Sequence, residues 1–164
     1  MEIRNLLAEH WPAIKSIYEG IVTGHAGFQA FPADWAEWDN HYLSHSRLVA
    51  IEGQRLVGWA ALTPISNRSV YSGVAEVNIY LATGYPGQKA GESLLKALID
   101  SSEMNNIWTL QANIFFEYDA VLKMHANIGF RLVGYREKIC QTNGVWRDLI
   151  VIERRSQKID ERRL

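Results

Sequence analysis

Apolar and polar positions along the chain alternate in runs that predict a definite order of elements. Between Leu6 and Glu19, Trp11, Ile14, Ile17 and Tyr18 recur at helical spacing and predict a first helix, with Gly20 to Gly27 looser behind it. Pro32-Ala33-Asp34 opens a second helix, since proline fits a first turn, and Trp35, Trp38 and Tyr42 fall at i, i+3 and i+7 to give it one aromatic face. Arg47 to Ile51 and Arg55 to Leu62 read as strands about the turn Glu52-Gly53-Gln54, and Val70 to Leu81 as a third strand. Gly84-Tyr85-Pro86-Gly87 breaks the pattern before a helix over Gln88 to Met104, which turns Leu94, Leu95, Leu98 and Ile99 inward. Trp108 to Ile114 alternates as a half-buried strand, and Asp119 to Asn127 is a short helix ended by Ile128-Gly129. Two last strands, Phe130 to Cys140 and Val145 to Glu153, flank the hairpin pair Asn143-Gly144.

This order predicts a mixed α/β (α+β) fold: a mostly antiparallel sheet with helices on both faces. With no repeat or linker, residues 1–155 read as a single domain, and 156–164 as a charged tail open to disorder. Near that end Arg154, Arg155, Lys158, Arg162 and Arg163 are interleaved with Glu153, Asp160 and Glu161, which favours a solvated end over a binding arm.

Composition narrows the function classes. The formal net charge of −1 gives no bulk attraction to nucleic acid or to a membrane surface, so neither is expected as a partner. Met1-Glu2-Ile3-Arg4 lacks a secretion pattern, no apolar run reaches membrane-spanning length, and Cys140 is the only cysteine, which excludes an intrachain disulfide; a cytoplasmic location is the expectation. Cys140 sits at a strand end without a neighbouring histidine, so an incidental thiol outweighs a nucleophile. His41 and His45 lie four apart and could share a helix face, but no third ligand is clustered with them, and no metal is expected.

Two passages carry candidate chemistry. From Ile79 to Gly91 the chain runs from a strand into a helix through glycines. Such a turn presents free N–H groups and a positive dipole end to an anion, and Lys89 adds charge; an ordinary strand-to-helix turn reads equally well. Glu76 lies in Val74 to Leu81, where alternation places it with Asn78 and Tyr80 on one face and Ala75, Val77, Ile79 and Leu81 on the other. A carboxylate inside a sheet needs a partner, water or a task as general base; a solvent-facing glutamate is as good a reading. The aromatic set Phe31, Trp35, Trp38 and Tyr42 either packs in the core or lines an acceptor pocket.

Ordered landmarks then carry a resemblance. Ile17-Tyr18, Gly24-His25-Ala26-Gly27-Phe28-Gln29, Val57-Gly58-Trp59-Ala60, Arg68-Ser69-Val70-Tyr71, Ala75-Glu76-Val77-Asn78-Ile79-Tyr80, Met124-His125 with Gly129-Phe130, and Asn143-Gly144-Val145-Trp146-Arg147-Asp148 follow one another along residues 2–153. Together they resemble the GNAT superfamily of acetyltransferases, and more narrowly its phosphinothricin acetyltransferase group. The loop Pro86-Gly87-Gln88-Lys89-Ala90-Gly91 departs from that pattern by a proline for the first polar residue and a lysine for the middle glycine. Tyr118 and Val121 stand for the usual Asn and Ser, Ser66 for a first arginine and Gly27 for a threonine.

The resemblance implies an acetyl-CoA-dependent N-acetyltransferase with a splayed sheet, transferring directly in a ternary complex to a small-molecule amine, an amino acid or analogue foremost. A non-catalytic acyl-CoA-binding module and an acetyltransferase for a peptide N-terminus or a polyamine are its alternatives, and a homodimer is open. It implies Glu76 as general base and His125 as proton donor to the departing thiolate, or as the group orienting a water that does so. It also implies cofactor contacts at Ile79, Tyr80, Leu81, Gly87, Gln88, Lys89, Ala90, Gly91, Glu92 and Tyr118, and acceptor contacts at Phe28, Arg68, Tyr71 and Asn78.

Overall fold

A computed structural model describes residues 1–23, 31–85 and 88–159. The first strand, β1 (Glu2–Asn5), precedes the helix the sequence predicted there, and α1 spans Trp11–Thr23 after a 3-10 turn at Ala8–His10. The predicted start at Leu6 is corrected by Pro12, which lacks an N–H and fits only a first helical turn, so the helix opens at Trp11. β1 escaped the periodicity because it has four residues and only Ile3 is half-buried. Asp34 caps α2 (Trp35–His41) by accepting from the Glu37 N–H at 2.9 Å, while the Glu37 carboxylate accepts from the Ala33 N–H at 2.7 Å.

Strands β2 (Leu48–Glu52) and β3 (Arg55–Pro64) form the predicted hairpin. β4 starts at Val74 and ends at Leu81, not at Val70, because Ser69–Tyr71 is a 3-10 turn with Val70 and Tyr71 exposed. Gly73 sets that boundary. A Cβ there would lie 2.0 Å from the Trp108 ring, and the Gly73 carbonyl accepts from both Trp108 and Thr109 N–H groups. Helix α3 (Gln88–Met104) crosses over to β5 (Thr109–Phe115), followed by α4 (Asp119–Asn127), β6 (Arg131–Thr142) and β7 (Val145–Arg155). Asn143 and Gly144 both take positive φ in the last hairpin, as that turn requires.

The result is a seven-stranded sheet in the order β1-β2-β3-β4-β5-β7-β6. Every neighbouring pair is antiparallel except β4 with β5. One core, with Leu94, Leu95, Leu98, Val77 and Ile152, lies between the sheet and helices α3 and α4. A second, with Ile14, Tyr18, Trp38, Tyr42 and Trp59, lies under α1 and α2 on the opposite face. The charged tail begins folded. Ser156 is buried and donates its N–H to the Trp108 carbonyl, while Lys158 and Arg154 both pair with Glu103. Residues 160–164 lie outside the described residues.

Candidate active site

The parallel pair β4–β5 is where the sheet parts. Its register runs only from Val74↔Thr109 to Glu76↔Gln111. β4 meanwhile stays paired with β3 through Gly58↔Leu81, and β5 with β7 through Phe115↔Leu149. Each strand therefore follows its outer neighbour, the right-handed twist separates them, and the edge of β4 beyond Glu76 is left without a strand partner. A cleft of ≈ 540 Å³ fills the gap, lined by Glu76 to Leu81, Asn113, Phe115, Tyr118 and His125 among others.

Glu76 stands at the fork. Asn113 donates from Nδ2 to its Oε1 at 3.0 Å, across the opening gap. Asn78 donates to Thr63 Oγ1 at 3.1 Å and to the Glu76 carbonyl at 3.2 Å, which anchors the same face of β4 to β3. Further along, the Tyr80 ring packs against Tyr18 and Trp59, with centroids 5.1 and 4.7 Å apart. The alternation read from the sequence is thus the one observed. Ala75, Val77, Ile79 and Leu81 pack toward α3 and α4, and Glu76, Asn78 and Tyr80 point to the α1–α2 side. Burial, with Tyr18 and Glu76 nearby, pushes the Tyr42 phenol up; burial, then Tyr42, Tyr18 and Glu76, does the same to Tyr80. Both phenols are therefore neutral donors at neutral pH.

His125 ends α4 on the other side of the cleft, fully buried against the Phe130 ring. Its Nδ1 lies 2.9 Å from the Val121 carbonyl oxygen. That oxygen only accepts, so Nδ1 carries the proton, and Nε2 is buried with no hydrogen-bond partner in the protein. Burial pushes the imidazole pKa down, and the Val121 bond offsets this in part. The ring is neutral with a free lone pair on Nε2.

The implied cofactor residues fall into two groups. Ile79, Tyr80, Leu81, Gly91 and Tyr118 line the cleft, whereas Lys89, Ala90 and Glu92 belong to the first turns of α3 without lining it. A Cβ at Gly91 would meet Met124 Sδ at 2.9 Å, so glycine there lets α3 approach α4 and keeps the cleft open. Gln88 opens α3, while Gly87 and Phe28 lie outside the described residues. Of the implied acceptor residues Asn78 lines the cleft; Arg68 and Tyr71 sit exposed at the 3-10 turn and line neither cavity. The sequence reading missed Asn113, Phe115 and Val121 as cleft residues. Asn113 had shown itself only as one polar position of an alternating strand, with nothing local to tie it to Glu76.

A second chamber of ≈ 400 Å³ opens on the Glu76 side of the sheet, with Tyr80 shared between the two. Tyr18, Phe31, Tyr42 and Tyr80 wall it, and Glu37, Asn40 and His41 edge it. Both readings of the aromatic set hold, divided by residue: Trp38 is fully buried core, while Phe31 and Tyr42 are wall. α2 ends at His41, so His45 does not share its face, and His45 Nδ1 is engaged with Ser46 Oγ at 2.9 Å. Among the described residues no three His, Cys, Asp or Glu side chains cluster as a metal site would need. Nor is any helix among them long and apolar enough to cross a membrane.

Known proteins share this fold. Residues 41–151 match the family described as an acetyltransferase (GNAT) domain. A phosphinothricin N-acetyltransferase of Alcaligenes faecalis is 31% identical over 159 residues, covering 93% of this chain and 81% of that protein. Another, from Streptomyces coelicolor, is 28% identical over 103 residues, and that match spans 63% of this chain and 60% of the relative's length. The structure of a phosphinothricin acetyltransferase from Sinorhizobium meliloti in complex with AcCoA superposes with a TM-score of 0.84 at 23% identity, over 94% of this chain and 87% of that one. The ribosomal-protein-alanine N-acetyltransferase of Brucella melitensis gives 0.85 at 24% identity, over 95% and 100%. At these identities the superpositions establish the fold.

Proposed function

The chain belongs to the GNAT acetyltransferase family, and from that premise we propose that it moves the acetyl group of acetyl-CoA onto the amine of a small molecule. The observation that carries the reading is the fork at Glu76: a free strand edge beside an open cleft, with a carboxylate held at its head by Asn113. The cleft fits the acyl end of such a cofactor. The unpaired edge of β4 can hydrogen-bond an extended amide-bearing arm as a strand would, and the walls at Ile79, Leu81 and Phe115 are apolar. The buried, unpartnered Nε2 of His125 awaits a donor from that arm.

When bound, acetyl-CoA supplies an electrophilic thioester carbonyl and a thiolate leaving group. Glu76 takes a proton from the acceptor ammonium, directly or through one water, and so frees the nitrogen lone pair for attack. Asn113 fixes the carboxylate on the side of the sheet from which the acceptor enters. His125, neutral and already donating through Nδ1, accepts at Nε2, so of its two implied roles orienting a water or a thiol is better supported than giving up a proton. The relatives' names make phosphinothricin and similar amino-acid analogues the first acceptors to assay. The chamber beside Glu76, bounded by residues 31–42, favours a small acceptor over a peptide.

The Glu76→Gln variant tests the reading. It keeps shape and hydrogen bonding but removes the base, and turnover should fall by about two to four powers of ten with acetyl-CoA affinity preserved. Wild-type turnover in this variant would leave Glu76 a structural residue, and failure to bind acetyl-CoA in calorimetry would remove the assignment altogether. The single cysteine is consistent with a cytoplasmic setting. A second copy of the chain is the partner we assign to the β6–β7 hairpin, where Leu132, Val133, Tyr135, Ile139, Val145 and Trp146 are each exposed; sedimentation of the wild type as a dimer and of the Trp146→Glu variant as a monomer would bear this out, and a monomeric wild type would refute it.

A further inference from the structure

We infer that Arg147 is a positioning residue for the acetyl-CoA cleft: anchored by Glu117, its guanidinium holds the Phe115 ring in the cleft wall and so governs cofactor affinity from outside the site. The inference rests on the acetyl-transfer reading and adds a residue to it.

The wall that Phe115 belongs to sits on a turn with few holds of its own. β5 ends at Phe115, and Phe116, Glu117 and Tyr118 lead into α4 at Asp119. Phe115 and Tyr118 both line the cleft, with their rings edge-on and centroids 5.8 Å apart. Tyr118 stands at the N-cap of α4, yet its side chain makes no capping hydrogen bond, so the helix start lacks a side-chain clamp. The backbone contributes a bond from the Tyr118 N–H to the Phe115 carbonyl at 3.0 Å and one from the Phe116 N–H to the Asp148 carbonyl of β7 at 3.2 Å.

Arg147, next to Asp148 on β7, adds a side-chain hold. The last pair of β5 with β7 is Phe115↔Leu149, and carrying that register two residues on sets Glu117 opposite Arg147. The guanidinium pairs with Glu117 at 2.5 Å, donates to Thr142 Oγ1 at 3.3 Å and lies over the Phe115 ring, 4.2 Å from its centroid. A cation over an aromatic face is attracted by the negative face of the ring, and more strongly where both are out of water. Phe115 is fully buried here, and the Arg147 side chain is only 11% exposed. Arg147 itself lines neither cavity, so its influence on a ligand passes through the ring it covers.

The position of Phe115 decides what that influence reaches. The pairing of β4 with β5 ends at Glu76↔Gln111, four residues before Phe115, which is about 13 Å along the strand at about 3.3 Å per residue. A shift of the Phe115 ring therefore alters the fit of the cofactor arm and leaves the Glu76 carboxylate in place. Around it the wall is made of Phe115, Tyr118 and Val121, so contact there is chiefly apolar and depends on how closely the surfaces meet.

The test is calorimetry of acetyl-CoA binding to the full chain. Arg147→Met keeps an apolar stem of similar reach and removes the cation, and Kd should rise more than about threefold. In a Phe115→Leu background the same substitution should change Kd by less than about twofold, because the ring through which it acts is gone. A residue that only stabilises the fold would lower the melting temperature and leave Kd in place, and one that merely attracts the cofactor's phosphates would act equally in both backgrounds. Should Arg147→Met fail to fold, Glu117→Gln decides, since its half-exposed side chain anchors the guanidinium: Kd should rise about twofold or more. A smaller rise in the deciding variant, or the same rise in the Phe115→Leu background, would overturn the inference and leave the acetyltransferase reading intact. Absence of acetyl-CoA binding by the wild type would overturn both.

Discussion

Replacing Asn113 by alanine isolates what the fork in the sheet does for Glu76, the base we propose. The Asn113 amide donates to Glu76 Oε1 at 3.0 Å, from two residues beyond Gln111, where the pairing of β5 with β4 ends. A hydrogen bond to a charged acceptor is worth about 1.5–3 kcal/mol, and if that energy serves to hold the carboxylate in its working orientation, its loss lowers kcat by about one to two powers of ten. Asn113→Asp keeps the shape, removes the donor and sets one carboxylate against another, so its turnover should fall at least as far. Thiol release at saturating acceptor gives kcat, and calorimetry gives the acetyl-CoA affinity. A positioning role requires kcat to fall while that affinity and the melting temperature stay put. Both variants within twofold of wild-type kcat would refute the reasoning, and a tenfold loss of acetyl-CoA affinity at unchanged kcat would move Asn113 from the base to the cofactor arm.

Gly73→Ala should destabilise the fold by about 1–3 kcal/mol in chemical denaturation, because its Cβ would lie 2.0 Å from the Trp108 ring; in a Trp108→Ala background most of that cost should vanish. Burial, set partly against the Val121 hydrogen bond, pushes the His125 pKa below its ordinary 6.5, so below that pH the unfolded chain binds the extra proton more readily than the folded one. Stability should therefore rise with pH up to about 6.5 and decline on acidification, and His125→Gln should flatten that part of the melting-temperature profile. A profile with equal slope in both proteins would show that other groups carry the dependence.

Much of this protein was determined by local sequence. The helices Gln88–Met104 and Asp119–Asn127 appear with the bounds their periodicity predicted, because each carries an apolar stripe broken off by punctuation such as Gly129. The two faces of β4 follow from a period of two that no packing alters, so the side to which Glu76 points was legible as well. Boundaries set by a single contact were not. That β4 waits until Val74 depends on Trp108 lying over Gly73, thirty-five positions away in the chain. The short β1 depends on the edge of β2 being there to pair with it.

Only the tertiary structure showed which groups surround Glu76. The sequence could rank it as a base or as a solvent-facing carboxylate with equal right, since its Asn113 partner lies on a neighbouring strand and its place in the cleft comes from the parting of β4 and β5. The same holds for His125, whose neutral state comes from burial and from the Val121 carbonyl, and for Arg68, which the tertiary arrangement leaves outside both cavities. Local sequence fixes backbone periodicity, because that depends on neighbours within a few residues. Which polar groups meet, and whether water reaches them, depends on how twisted strands part and which helices cover them, a property of the whole packed sheet.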